Sequence, residues 1–425
     1  MNREYAFEMA ASNIRFGVGV TREVGMDLAD LGVRRALVVT DPNLARLAPV
    51  ATVLESLRRE KIEFDLFDRV RVEPTDRSFQ EAIDFAQSEP FDAFVAVGGG
   101  STIDTAKAAN LYSTYPADLL EYVNAPIGRG QPVPGPLKPL LAVPTTAGTG
   151  SETTGVAIFD LVDMHAKTGI ADRRLKPTLG LIDPENTRSL PPLAAAATGL
   201  DVFCHALESY TALPFGERTG AERPLLRPAY QGSNPISDVW SLEAVRLATR
   251  YLVRAVEDPD DEEARSGMLL AASYAGMGFG NAGVHLPHGM SYPVSGMARD
   301  YRPEGYVVDG PLIPHGMSVI LNAPAVFRFT GSACPERHLH AAELLGVDIR
   351  DADPADAGNL LADAIVGLMR RLKIPNGLSA VGYGPADIPA LVQGTLPQHR
   401  VTKLSPRPVG EAELTKLFEE SMIAW

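Results

Sequence analysis

The sequence predicts two unlike halves: an α/β N-terminal domain on a doubly wound, Rossmann-like parallel sheet, and an all-α C-terminal domain. Three observations predict this. Short β-branched runs alternate with amphipathic stretches through the first half. After Arg188-Ser-Leu-Pro-Pro192 strand signals largely vanish and long helical patterns take over. A chain of 425 residues also exceeds what one ordinary core accommodates. The expected domains are residues 1–190 and 191–425.

The elements follow in order. Residues 36–40 form a short β-branched run that ends at Asp41-Pro42. Residues 50–60 have helical spacing, and Pro49 is tolerated in a first turn. Residues 64–67 are a weaker strand. Residues 78–88 are an amphipathic helix, with Asp76 as its expected cap. Residues 91–97 are a buried strand that stops at Gly98-Gly99-Gly100, and a helix follows over 101–110. Residues 139–143 and 179–182 are further strands. Such alternation gives a parallel sheet. Beyond the boundary, helices are expected over 194–210, 237–256, 260–277 and 355–372. Residues 212–235 interrupt them with Pro, Gly and Arg and no periodicity, and a loop that long is usually functional or disordered.

Composition excludes some functions. The formal net charge of -14 argues against nucleic acid and against an anionic membrane surface. No apolar run approaches the roughly 20 residues that span a bilayer. The first residues have no apolar signal core and carry acids that transit peptides avoid. The two cysteines, Cys204 and Cys334, make no disulfide framework. A cytoplasmic location is the expectation.

Chemistry concentrates in a few motifs. Gly98-Gly99-Gly100-Ser101 follows a strand and opens a helix, where glycines admit a diphosphate and the helix N-terminus supplies N–H groups. As a lone triplet it reads by default as a tight βα turn. Thr145-Thr146-Ala147-Gly148-Thr149-Gly150-Ser151 also follows a strand and could cradle a phosphate or ribose. Ligands of open α/β sheets bind at such carboxyl ends. Asp41 ends an earlier strand, as a ribose contact or as a turn residue before Pro42. In the second half, Asp201 and His205 lie four apart and share one helix face. His288 and His315 each precede a glycine. One carboxylate and three imidazoles suit a divalent first-row metal. His285 lies three before His288, but Pro287 disfavours a regular helix between them, so it reads as a supporting or substrate-facing residue. Arg218, Arg223 and Arg227 lie in the aperiodic insert, where each reads at least as readily as solvated or paired with Glu217 and Glu222; were the substrate an acid, Arg227 would be the first candidate for its carboxylate.

Taken together, these residues resemble the iron-containing (group III) alcohol dehydrogenases, whose fold is similar to that of dehydroquinate synthase. The likeness covers essentially the whole chain. It is carried by Gly98 to Ser101 with Asp104 and Lys107, Thr145 to Glu152, Asp201-x3-His205-x2-Glu208, His288 to Pro293, and Pro314-His315-Gly316. The resemblance implies metal ligation by Asp201, His205, His288 and His315. It implies NAD contacts at Asp41, Gly98, Gly99, Gly100, Ser101, Thr102 and Asp104, at Thr145, Thr146, Thr149 and Ser151, and at Lys167 near the nicotinamide ribose. The metal is expected to be Fe(II), with Zn(II) an alternative. Many members of the family carry a second histidine four after the third ligand, as a proton relay. Here Tyr292 stands there. A phenol, with an ordinary pKa of about 10, shuttles protons less readily at neutral pH, so His285 is the expected substitute.

Within the family the chain is most similar to a subfamily, the hydroxyacid–oxoacid transhydrogenases. The runs are Ser12 to Gly17, Val70 to Asp76, Arg227 to Asp238, Ala380 to Gly384 and Arg400 to Lys403. This implies hydride transfer from 4-hydroxybutyrate to 2-oxoglutarate with tightly held NAD, in a homo-oligomer, expected to be a dimer. The alternative is an NAD-dependent alcohol dehydrogenase acting on a small alcohol or aldehyde.

Overall fold

The computed structural model describes residues 3–10, 12–164, 166–308 and 310–425. The chain divides into two compact units. One is Ala11–Leu190; the other is Pro191–Trp425 together with residues 3–10.

The first unit is built on β1 (Ile14–Phe16), α1 (Val24–Asp30), β2 (Arg35–Val39), α2 (Ala48–Arg59), β3 (Glu63–Phe67), α3 (Asp76–Ser88), β4 (Ala93–Gly98), α4 (Gly100–Thr114), β5 (Leu140–Pro144), β6 (Val156–Leu161), β7 (Ala166–Ala171) and β8 (Leu179–Ile182). Six strands form one sheet in the order β1-β8-β5-β4-β2-β3, and every pair is parallel. Alternation along β4 explains the double winding. Val95 and Val97 pack with Val24, Leu28, Val53 and Leu57 of α1 and α2. Phe94 and Ala96 pack with Ala82, Ala86, Ile103 and Ala106 of α3 and α4 on the other face. Strands buried on both faces need crossover helices on both sides, which is the predicted class.

The sequence reading does not anticipate β1 or α1, and local detail departs from it at two further places in this unit. The cap of α3 is Thr75, not Asp76: Thr75 Oγ1 accepts from the Ser78 N–H, and the Ser78 hydroxyl faces the Thr75 N–H in return. That reciprocal pair satisfies two donors at once, which Asp76 inside the first turn does not. The unit also contains an unanticipated antiparallel hairpin, β6–β7, in which Asp160 stands opposite Lys167.

The second unit is helical. Its elements are α5 (Pro192–Thr211), α6 (Pro235–Glu257), α7 (Glu262–Ala282), α8 (Leu286–Gly296), α9 (His315–Ile320), α10 (Ala323–Thr330), α11 (Pro335–Leu344), α12 (Ala357–Arg371), α13 (Ile388–Thr395), α14 (His399–Thr402) and α15 (Glu411–Ser421). The Ala-rich α5 is buried from Ala196 to Thr211 except at Thr198. Among the described residues no helix is long and apolar enough to cross a membrane.

The aperiodic insert serves the fold. The Arg227 guanidinium donates to Glu4 at 3.1 and 3.2 Å, and both side chains are largely buried. Gln231 accepts the Glu8 N–H, Asn281 accepts the Ala10 N–H, and the Phe7 and Phe215 rings meet edge-on at 4.9 Å. The insert thus seats residues 3–10.

Candidate active site

Three helices bring the four expected ligands together. Asp201 and His205 lie one turn apart on α5. His288 lies in the first turn of α8, and His315 is the first residue of α9. Donor atoms of all four lie within 4.8 Å of one another. Asp201 Oδ1 is 3.4 Å from His288 Nε2 and 3.9 Å from His315 Nε2, and Asp201 Oδ2 is 3.7 Å from His205 Nδ1. Gly316 makes this approach possible. A Cβ there would stand 2.1 Å from the Ala197 carbonyl and 2.9 Å from Asp201 Cβ. The glycine after His315 therefore lets α9 meet α5.

The donors fit a cation. Asp201 Oδ1, His205 Nδ1 and His288 Nε2 are all buried without a hydrogen-bond partner. Buried polar atoms are normally paired, so three orphans converging on one point match the donor set of a metal centre. Around them the cluster is tightly held. Glu208, one further turn along α5, lies with Oε1 2.6 Å from His288 Nδ1, while its Oε2 accepts the backbone N–H of His285 and His288. A proton held on Nδ1 leaves Nε2 free to coordinate. The His205 ring stacks on Phe279 at 4.0 Å. Electrostatics follow from burial and neighbours. Burial drops His205 to about 3. Burial also works against charge on His288, but the Glu208 and Asp201 carboxylates prevail and raise it to about 10. Burial opposes ionisation of Asp201, yet the surrounding imidazoles hold its carboxyl well below the usual range.

Two expected site residues are placed elsewhere. The His285 side chain does not join the cluster. Helix α8 begins at Leu286 with Pro287 in its first turn, which leaves His285 outside as the cap residue on a different heading from His288. Its ring is fully buried, with Nε2 3.0 Å from Thr211 Oγ1 and the Phe327 ring edge-on to it. Because Thr211 already donates to the Leu207 carbonyl, it accepts from His285 Nε2, while His285 Nδ1 is buried without a hydrogen-bond partner. Arg227 is engaged by Glu4, a partner 223 positions away, rather than open to an acid. Tyr292 lies one turn beyond His288, and its hydroxyl accepts from Arg400 Nη2 at 2.8 Å. Arg400 belongs to a run noted in the sequence, but nothing there marked its role.

In the sheet unit, the glycine loop and the Thr-Gly loop meet side by side. Gly99 is the uncapped N-cap of α4. A Cβ on Gly100 would stand 2.6 Å from Thr149 Cγ2, and one on Gly99 3.2 Å from Thr146. Gly98 accepts the Thr145 N–H, and a Cβ on it would press on Thr102. Asp104 and Lys107 brace these loops from below. The Asp104 carboxylate takes the Ser151 hydroxyl and the Ile158 N–H, and Lys107 Nζ donates to the Ser151 and Val156 carbonyls. The Glu73 N–H donates to Ser101 Oγ, and the Glu73 carboxylate pairs with buried Lys167 at 2.7 Å. Asp41 Oδ1 accepts the N–H groups of Asn43 and Leu44, so the turn role is real for that oxygen. Asp41 lies two residues beyond β2, which neighbours β4 where the strand order reverses, the usual ligand position in such sheets.

Comparison with known proteins agrees with this geometry. The family model described as iron-containing alcohol dehydrogenase matches residues 11–184, and that for the C-terminal part of the Fe-containing alcohol dehydrogenase family matches residues 229–422. The chain belongs to the iron-containing alcohol dehydrogenase family. It is an oxidoreductase of the kind that acts on CH–OH donors, and the family implies a divalent metal and NAD. Over 421 residues the chain is 62% identical to "Hydroxyacid-oxoacid transhydrogenase, mitochondrial" of Xenopus tropicalis, covering 99% of this chain and 91% of that protein. The protein so named in Homo sapiens is 59% identical over 99% of this chain and 90% of its own length. Among solved structures, a 1,3-propanediol oxidoreductase superposes with a TM-score of 0.85 at 29% identity, covering 98% of this chain and 100% of its own. An alcohol dehydrogenase from Oenococcus oeni gives 0.85 at 28%, with the same coverage. The expected cytoplasmic location is overturned, because these relatives are named mitochondrial.

Proposed function

We propose that this chain is a metal- and NAD-dependent hydroxyacid–oxoacid transhydrogenase, moving hydride from 4-hydroxybutyrate to 2-oxoglutarate to give succinate semialdehyde and 2-hydroxyglutarate. The reading is carried by the three orphaned donors of Asp201, His205 and His288 converging beside His315, in a chain 59–62% identical to proteins that bear that name. The helical unit would supply metal binding and catalysis, and the sheet unit would bind NAD. Asp201, His205, His288 and His315 would hold Fe(II), with Zn(II) the alternative. When bound, the cation supplies Lewis-acid polarisation of the substrate oxygen, and NAD supplies the hydride carrier.

The chain's own residues do the rest. Glu208 keeps the His288 proton on Nδ1 and so fixes which nitrogen faces the cluster. Phe279 and the three buried ligands exclude water. Gly98 to Thr102 and Thr145 to Thr149 would cradle diphosphate and ribose, with Asp41 on the adenine ribose and Lys167 on the nicotinamide ribose. Asp104 and Ser151 would act by bracing those loops. The proton released in oxidising one acid is taken up in reducing the other, so the full cycle is neutral in protons. We also propose a dimer, which light scattering on the purified protein tests.

The direct experiment is anaerobic. Metal-loaded enzyme receives 4-hydroxybutyrate and 2-oxoglutarate without added NAD, and products are followed by mass spectrometry. Equal amounts of succinate semialdehyde and 2-hydroxyglutarate over many turnovers are expected. No product, with oxidation of simple alcohols restored by added NAD, would make the protein an ordinary alcohol dehydrogenase instead.

A further inference from the structure

We propose that Arg400 binds the carboxylate of the hydroxy- and oxo-acid substrates, and that Tyr292 holds its guanidinium in place. This rests on the acid-substrate reading above.

The first ground is charge. Arg400 Nη1 is buried and has no hydrogen-bond partner. The groups that its guanidinium does meet are neutral: Tyr292 Oη at 2.8 Å from Nη2, and the Tyr230 ring 4.9 Å from Cζ. Among the described residues no Asp or Glu pairs with it. Two other sheltered arginines of the same unit are matched, Arg227 by Glu4 and Arg337 by Asp238. A guanidinium cannot shed its charge, and a desolvated charge is retained only with an opposite partner. Arg400 is half-buried and the described residues supply no such partner, and a carboxylate fits the planar fork in two-point fashion.

The second ground is position. Tyr292 stands four residues after His288 on α8. A Cβ at Gly289, between them, would lie 3.0 Å from Thr402 Cγ2, so α14 rests directly on that turn and carries Arg400 with it. From the other side, the Tyr230 ring meets Phe279 at 6.4 Å, and Phe279 stacks on His205. Two chains of contacts therefore join Arg400 to the four-donor cluster. Four residues of helix rise about 6 Å. A four-carbon hydroxyacid spans about 5 Å from hydroxyl oxygen to carboxylate carbon, at roughly 1.5 Å per C–C bond. The two lengths are comparable, so an acid with its oxygen at the cluster would direct its carboxylate toward Arg400. Tyr292, where many of the family carry a relay histidine, supplies the hydroxyl that aims the guanidinium.

The test uses full-length, metal-loaded enzyme and succinate as the carboxylate probe. In Arg400→Gln, calorimetric affinity for succinate should fall about 10- to 100-fold, the loss of a charged two-point contact. The ratio of kcat/KM for 4-hydroxybutyrate over 1-butanol should fall by a similar factor. Arg400→Lys, which restores charge without the fork, should recover part of both, and it stands in if the glutamine variant does not fold. Succinate affinity and the acid-to-butanol ratio both within about threefold of wild type, where wild type prefers the acid, would remove the anchor alone. A wild type that neither binds succinate nor prefers the acid would remove the acid-substrate reading and the anchor together.

Discussion

Glu208→Gln isolates one hydrogen-bond pattern. Glu208 is fully buried and acceptor-only, with Oε1 toward His288 Nδ1 at 2.6 Å and Oε2 toward the His285 N–H at 2.7 Å and the His288 N–H at 3.4 Å. Glutamine has one oxygen for these two directions. If the oxygen stays on Nδ1, the amide NH2 meets the His285 N–H donor to donor. If the amide turns, NH2 meets Nδ1, and the ring proton is pushed to Nε2, the nitrogen that faces Asp201. Leaving one buried donor unsatisfied costs about 1–3 kcal/mol. Loss of the partner that fixes a ligating imidazole lowers metal affinity about 10- to 100-fold, or about 1.4–2.8 kcal/mol. A competition titration against a chelator of known affinity, at fixed pH, reads this directly. Affinity within about threefold of wild type would show that stacking on the His205 ring, at 4.6 Å, alone sets the His288 ring.

Four further outcomes are expected. His288→Ala and His315→Ala should lose metal, read by plasma emission, and turnover together. Full turnover of either variant after chelation would sink the ligand assignment. In Gly100→Ala the new Cβ presses on Thr149 at 2.6 Å, so the loops must part at a cost of about 1–3 kcal/mol, and NADH fluorescence titration should show weaker binding. Lys107 is pulled down to about 8 by burial, against a usual 10.5. The folded state therefore sheds this proton first, and from pH 8 to 10.5 the wild type gains stability at up to about 1.4 kcal/mol per unit; urea melts of Lys107→Met should lack that gain. Glu4 is held down to about 2 by Arg227. Its tie is complete above about pH 4.5 and is lost as pH falls toward 2, so Glu4→Gln should flatten the acid limb of the melting curve and expose residues 3–10 to protease, with acid affinity unchanged.

Much of this architecture is legible in the residues, because β4 with its glycine stop and the long helical periods report local physics. The parts that escaped depend on distant partners. β1 is three residues long and exists only by pairing with β8. The β6–β7 hairpin is masked by Asp160 and Lys167, whose charges argue against a strand until each is seen to neutralise the other across the ladder. At the cluster, spacing placed Asp201 with His205, and the same helical face extends to Glu208, seven residues on, a usable signal for its role. Arg227 misled because its partner lies 223 positions earlier. Arg400 carries no local mark, since what distinguishes it is a missing carboxylate, visible only once its surroundings are assembled.

The seating of residues 3–10 has a consequence for biosynthesis. This segment is translated before the entire sheet unit, yet the groups that receive it, at Arg227, Gln231 and Asn281, are made 223 and 271 positions later. The sheet unit can close on its own sequence as it emerges. The helical unit completes these contacts only with a segment made before the sheet unit. A fragment started at Pro191 therefore leaves Arg227 without the Glu4 carboxylate and Gln231 and Asn281 without the Glu8 and Ala10 N–H groups, and supplying residues 3–10 as a separate peptide is the natural way to complete it.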